Sequence, residues 1–150
     1  MEDSKKAIYF KKVQEEPLAK LFNIRLKDVD DGYALCEMEF TDSMGNLYGS
    51  AHGGALFSLI DEAFEISSNS HENIAVALNM NVTYMKPPKK GSTLTAESRE
   101  INRTKRTASY YITVKENANL IAICQALVYV KDDAIPFLQD SNTNAESKTE

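Results

Sequence analysis

The sequence contains no tryptophan, and only two cysteines, two histidines, four prolines and six glycines. So few cysteines and histidines supply no paired set with the spacing of a zinc centre. Cys36 and Cys124 lie far apart, each in an apolar run, and read as two reduced core thiols of a cytoplasmic protein. No apolar stretch approaches the roughly 20 residues of a membrane-spanning helix. The N-terminus, with Glu2, Asp3, Lys5 and Lys6, lacks the apolar core of a signal peptide. A Gly-x-Gly-x-x-Gly fingerprint and a Walker loop are also missing, so nucleotide hydrolysis has no support. Basic charge is not in excess either. The formal net charge is -5, which argues against nucleic acid as the main partner.

What remains is ordinary globular material: 150 residues, 43% hydrophobic and 26% charged, enough for one domain with a sizeable core. Residues 4–22 space Ala7, Ile8, Phe10, Val13, Leu18, Leu21 and Phe22 as a helix does, with an interruption near Pro17. Strands are predicted over 24–29 and 33–40, joined by an Asp30-Asp31-Gly32 turn. Residues 41–52 read as a loop. The clearest helix covers 55–69 and is entered through Gly53-Gly54. Its Ala55, Leu56, Leu59, Ile60, Ala63, Phe64 and Ile66 form a broad apolar arc, opposite Ser58, Asp61, Glu62 and Glu65.

Four further strands are predicted at 74–85, 93–102, 106–115 and 120–130, and their short connections favour antiparallel pairing. Residues 139–150 are polar and are expected to be a disordered tail. The expected fold class is therefore α+β, with an antiparallel β-sheet wrapped around one long central helix. Its parts are an N-terminal helical segment (1–22), the main domain (23–131) and a polar C-terminal segment (132–150). A lone sheet of this kind keeps an open edge, which favours self-association.

Chemistry concentrates in Asn46-Leu-Tyr-Gly49-Ser-Ala-His52-Gly53-Gly54-Ala-Leu-Phe-Ser58-Leu-Ile-Asp61. Glycines at a helix start leave backbone N–H groups without intrahelical partners and let a substrate approach closely. The helix N-terminus also favours negative charge, such as develops on a carbonyl oxygen under attack. The plainer role for the same glycines is tight helix–sheet packing. Asp61, with Phe57 and Phe64 about one turn away on either side, is the candidate general base or nucleophile. Partial desolvation there would raise its pKa and make it a stronger base. Glu62 and Glu65 compete for that role, and an ordinary solvated carboxylate is the alternative.

This segment resembles the hotdog-fold thioesterases of the phenylacetate-degradation (PaaI-type) and 4-hydroxybenzoyl-CoA thioesterase group. Those proteins carry an Asn, a Gly, then His-Gly-Gly at a helix start, and an acidic residue two turns further on. The likeness runs from about residue 20 to residue 130 and takes in Asn81-Val-Thr-Tyr84-Met-Lys86-Pro87 and Gly91. It implies a hotdog fold that hydrolyses a thioester, with coenzyme A as part of the substrate and no separate cofactor. Within that resemblance Gly53 supplies the oxyanion N–H, Asn46 positions the attacking water and His52 supports the loop. Gly54, Phe57, Asn79 and Asn81 fall at the substrate.

One departure stands out. Where many relatives place a Ser or Thr on the strand after the helix, this chain has Ala77, with Asn79 the nearest substitute. Lys86, Lys89 and Lys90 around Pro87-Pro88, with Arg103, Lys105 and Arg106 in the next turn, are candidates for the phosphates of coenzyme A. Solvated basic turns are the plainer account of them. The acyl pocket is expected around Phe57, Phe64 and the subunit interface.

Eight residues at roughly 1.5 Å rise put Asp61 about 12 Å along the helix from Gly53. One thioester cannot reach both within a subunit, so the pair is expected to meet across a two-fold axis. A homodimer, assembled further as a dimer of dimers, follows from that expectation. Two other functions compete. A hydroxyacyl-thioester dehydratase would carry an Asp-x-Asn-x-x-His pattern, and the spacing of Asp42 and His52 does not provide it. A non-catalytic acyl-CoA binding module is kept open by Ala77, although residues 1–22 are too short for an added DNA-binding region.

Overall fold

The computed structural model describes residues 1–139. The tail expected from 139 onward therefore lies, from 140, outside the described residues. The N-terminal segment forms two helices, α1 (Asp3–Glu15) and α2 (Pro17–Phe22), separated by the extended Glu16. Pro17 opens α2 at the one helical position where its missing N–H costs nothing. Tyr9, Val13 and Ala19 are buried, and the Tyr9 hydroxyl donates to the Asn69 carbonyl at 2.6 Å. The two helices are thus packed onto the main domain rather than hanging from it.

Strands β1 (Arg25–Asp30) and β2 (Tyr33–Glu39) form the first hairpin. Gly32 turns it with φ +68°, and a Cβ there would come within 2.7 Å of the Glu100 Cβ. The loop after β2 contains a short 3-10 turn at Asp42–Met44 and leads into α3 (Gly53–Ser68). Strands β3 (Asn73–Tyr84), β4 (Thr93–Arg103), β5 (Thr107–Glu116) and β6 (Asn119–Ala134) follow. The six strands make one sheet in the order β1-β2-β4-β5-β6-β3, and each neighbouring pair is antiparallel.

Helix α3 lies against one face of this sheet. Leu59, Ile60, Ala63 and Phe64 are at most 1% exposed. The helix packs mainly on β2, β4 and β5, whose alternating residues Ala34, Cys36 and Met38, Leu94 and Ala96, and Ala108, Tyr110, Ile112 and Val114 are equally covered. Period-two burial in the strands and a broad buried arc on α3 are what a sheet wrapped around one helix requires. Cys36 and Cys124 are both free and buried. Among the described residues no helix is long and apolar enough to cross a membrane.

Two boundaries and one register differ notably from the sequence-based expectation. Helix α3 begins at Gly53 instead of 55, because His52 caps it. Strand β6 runs to Ala134 rather than 130, because Asn73 pairs with Ala134 and the Asn73 amide donates to the Asp132 carbonyl. Pairing there overrides the weak strand preference of Lys131-Asp132-Asp133. Strand β3 carries a bulge: Ala77 pairs with Val128 but Asn79 with Leu127, so Leu78 is the extra residue. A bulge of this kind switches which side chains face which side of the sheet.

Candidate active site

Each residue of His52-Gly53-Gly54 has a geometric reason to be what it is. The His52 Nδ1 accepts a hydrogen bond from the Gly54 N–H at 2.8 Å and so caps α3. An accepting nitrogen carries no proton, so the ring hydrogen sits on Nε2. A Cβ on Gly54 would lie 3.0 Å from that same Nδ1. A Cβ on Gly53 would press on the Tyr84 ring at 3.3 Å, and the Tyr84 hydroxyl donates to the Gly53 carbonyl at 3.1 Å. With the Gly54 N–H taken by the cap, the Gly53 N–H is the donor at the helix start that no described residue accepts. Gly53 also lines a cleft of about 390 Å³, together with Ser50, Ala51, Leu56, Tyr84, Met85, Lys86 and Pro87. An unpaired backbone donor at a helix N-terminus, beside a cleft, is suited to a developing oxyanion.

Asn46 is built into the loop before the helix. Its Oδ1 accepts from the Tyr48 and Ser50 backbone N–H groups at 2.9 and 3.0 Å, and its Nδ2 donates to the Ala51 carbonyl at 3.2 Å. That is turn chemistry. It leaves one amide hydrogen of Asn46 for a water or a substrate oxygen.

Asp61 lies two turns into α3 and is half-buried, and burial raises its carboxyl above the usual aspartate range. No described side chain donates to it. It faces the β3–β6 end of the sheet, where its charge helps lift the Cys124 thiol, already raised mainly by burial, to about 11. Phe57, one turn earlier, is partly exposed beside it. Phe64 was expected to line the acyl pocket but does not: it is 1% exposed and packs edge-on against Tyr110, with centroids 5.4 Å apart. Its place on the buried arc made it core.

The two competing glutamates behave differently from Asp61 and from each other. Glu62 is 2% exposed and turned toward Glu16 at the α1–α2 junction. Burial, with Glu16 close by, lifts its carboxyl to about 8. Glu65 is exposed at the surface and raised by the desolvation of its carboxyl and by Glu16. Sequence alone could not separate these three acids, because Glu16 arrives from another element.

Other expected site residues fall apart in space. The bulge at Leu78 puts Asn79 and Asn81 opposite Leu127 and Gln125, on the sheet face that points away from α3. The two are therefore not brought to Gly53 or Asp61 within the chain. Ala77 pairs with the core residue Val128 and faces the α3 side. The basic residues split into two groups at opposite ends of β4, whose 11 residues span about 34 Å. Lys86, Lys89 and Lys90 sit at the Gly53 end, where the Lys89 N–H donates to Glu116 at 2.8 Å and Lys90 pairs with Asp42 at 3.1 Å. At the other end Arg103 pairs with Glu100 at 3.3 Å and Arg106 with Asp132 at 2.9 Å, leaving Lys105 exposed in the turn. A single coenzyme A in one subunit cannot use both groups.

One long helix wrapped by a six-stranded antiparallel sheet, with a glycine-rich helix start and a half-buried carboxylate two turns on, defines a hotdog-fold protein of the thioesterase type. The thioesterase superfamily model matches residues 48–121. A putative esterase of Archaeoglobus fulgidus is 38% identical over 124 residues, covering 82% of this chain and 80% of that protein. The acyl-coenzyme A thioesterase PaaI of Escherichia coli is 36% identical over 101 residues, covering 67% of this chain and 72% of that one. The E. coli PaaI structure superposes with a TM-score of 0.81 at 29% identity, over 86% of this chain and 94% of that chain. A Streptococcus mutans protein solved with bound acetyl CoA superposes with a TM-score of 0.69 at 28% identity, over 73% and 89% of the two chains. The chain belongs to the thioesterase superfamily, and within it to the PaaI-type hotdog branch.

Proposed function

We propose that the protein is an acyl-CoA thioesterase, cleaving an acyl-CoA thioester to free acid and coenzyme A at sites shared between two subunits. The observation that carries this is the pairing on one helix of an unaccepted Gly53 N–H at a cleft and a half-buried, raised Asp61 carboxyl. The two lie about 12 Å apart along α3. Gly53 of one subunit therefore works with Asp61 of the other. The activity named for the E. coli relative and the acetyl CoA bound to the S. mutans neighbour support the substrate class.

The chemistry then runs as follows. The thioester carbonyl oxygen lies against the Gly53 N–H, with the α3 dipole behind it. Asp61 takes a proton from water as the water oxygen bonds to the carbonyl carbon. The C–S bond breaks, and the departing thiolate takes up the proton as coenzyme A leaves. Water is the only co-reactant. Asp61 attacking directly as nucleophile gives the same products by way of an acyl-enzyme anhydride. Lys86, which lines the cleft at Gly53, is the basic residue best placed for the anionic end of the substrate.

The dimer forms along β3. This edge strand has no partner on its outer side among the described residues, and Val76, Leu78, Tyr84 and Met85 beside it are 37%, 58%, 48% and 55% exposed. So long and apolar an edge is what a second copy would cover. Tyr111 and Tyr129, on the face turned away from α3, supply a second apolar patch for a dimer of dimers. Free, buried Cys36 and Cys124 fit a reducing compartment such as the cytoplasm.

The test is free-thiol release from a panel of acyl-CoAs by wild type and Asp61→Ala. The expected outcome is turnover by wild type and a loss of roughly 10²-fold or more in Asp61→Ala, which stays dimeric. Binding of acyl-CoA by wild type with no thiol release above background would instead make the protein a binding module. Ala77, which brings no hydroxyl to the α3 side of β3, favours that second outcome.

A further inference from the structure

At the junction of α1, α2 and α3, carboxylate oxygens of Glu16, Glu62 and Glu65 all lie within 4.8 Å of one another. A cluster of acids alone means little, but Glu62 adds a separate fact. It is 2% exposed, and no donor among the described residues reaches either of its side-chain oxygens; the one side chain within hydrogen-bonding reach is the Glu16 carboxyl, itself an acid. Buried polar groups are almost always paired, and a buried carboxyl with two orphaned oxygens calls for a specific account. The charged groups acting on it are Glu16, Glu65 and Asp61, all of them acidic. Lys11 and Lys12 of α1 pair with Glu15 instead, at 3.9 and 3.7 Å.

We infer that Glu16, Glu62 and Glu65 form a binding site for a calcium-sized divalent cation. Oxygen ligands on opposite sides of Ca²⁺ are roughly 4.6–5.2 Å apart, from metal–oxygen distances of about 2.3–2.6 Å, whereas Mg²⁺ would draw them to about 4.2 Å. Oxygens all within 4.8 Å of one another can close on either ion, and the all-carboxylate, adjustable donor set favours Ca²⁺, since Mg²⁺ demands near-ideal octahedral geometry and keeps several of its waters. A cation satisfies both orphaned oxygens of Glu62 and offsets two charges. A proton would satisfy one oxygen and leave the other bare. Access exists as well: Glu16 and Glu65 line an open cavity of about 620 Å³, together with Glu15, Tyr9 and Asn69. The site ties the N-terminal helices to α3, one residue from Asp61, and it does not depend on the thioesterase activity.

The experiment is calorimetry and thermal unfolding of the full-length protein, stripped with a chelator and then titrated with Ca²⁺ or Mg²⁺ alone. Ca²⁺ is expected to bind with a dissociation constant on the order of 10⁻⁵–10⁻³ M and to raise Tm by about 2–5 °C at saturation. Mg²⁺ should bind more weakly. Glu62→Gln keeps the side chain's shape without its charge and should fold while losing the Ca²⁺ response. Glu65→Gln, at the exposed end, should weaken the response without abolishing folding. A Ca²⁺ response unchanged in both variants overturns the inference. So does the absence of any Ca²⁺ response in wild type, and a Tm that then climbs as pH falls below 8 would assign the cluster a proton instead.

Discussion

Gly53 is the first residue of α3, and the residue before it is extended, with φ -77° and ψ 127°. That is the one helical position proline fills readily, since its missing N–H is not needed for the helix and an extended predecessor suits it. Gly53→Pro therefore deletes the proposed oxyanion donor while keeping the helix. The added ring meets Tyr84 at the tight distance already noted, but Tyr84 is 48% exposed and free to shift. The expected result is a fall of about 10²–10³ in kcat with Tm little changed. Gly53→Ala, which crowds the same tyrosine but keeps the N–H, should retain most of the rate. Equal losses in the two variants would mean that Gly53 matters only for packing. At this scale helix periodicity placed Gly53-Gly54 at the start of α3 and Asp61 at the margin of its apolar arc, while the choice of Asp61 over Glu62 and Glu65 came from the resemblance. The same periodicity misplaced Glu62, which helix spacing puts on the polar side of α3 but which is 2% exposed in the fold. Only folding brings Glu16 to it, and no local pattern announces that.

Elements are held together at the far end of α3 by a polar knot. Glu100 of β4 accepts from Tyr110 of β5, meets His71 after α3 at 2.9 Å and pairs with Arg103. Burial alone would raise its carboxyl, but the hydrogen bonds from Tyr110 and His71 and the Arg103 charge together hold it below the ordinary value of 4.5. A carboxyl lowered on folding contributes stability that is fully present above its unfolded value and is lost as pH falls through the folded one. Wild-type Tm should thus drop on acidification below about pH 4.5. Glu100→Gln should lower Tm by about 2–6 °C at neutral pH and flatten that acid limb. A Glu100→Gln protein with wild-type acid behaviour would place the acid sensitivity elsewhere.

Strand existence and order of elements were readable from alternation and turns, down to the Asp31-Gly32 turn. Pairing consequences were not. The charged Lys131-Asp132-Asp133 hid the last turns of β6, and nothing at Leu78 marked the bulge that turns Asn79 and Asn81 away from α3.

For the whole molecule, the decisive feature is that α3 carries both halves of the proposed site, about 12 Å apart along its axis and too far apart to act on one thioester. This makes the assembly testable by mixing. Let Gly53→Pro and Asp61→Ala chains, each weak alone, be unfolded together and refolded in equal amounts. In a mixed dimer one site receives both lesions and the other receives neither, provided that each site takes Gly53 from one subunit and Asp61 from the other. Random pairing makes half the dimers mixed, and each of these has one intact site of two. Activity should therefore recover to about a quarter of wild type. Were Gly53 and Asp61 to act within one subunit, every site in every dimer would carry a lesion, and mixing would leave activity at the level of the separate variants. Recovery would also fix the geometry of the pair, because only helices running antiparallel across a two-fold axis bring the start of one α3 beside Asp61 of the other. In the proposed dimer the exposed edge of β3 is the surface that would allow this approach. Leu78, protruding at its bulge and 58% exposed, lies on that edge.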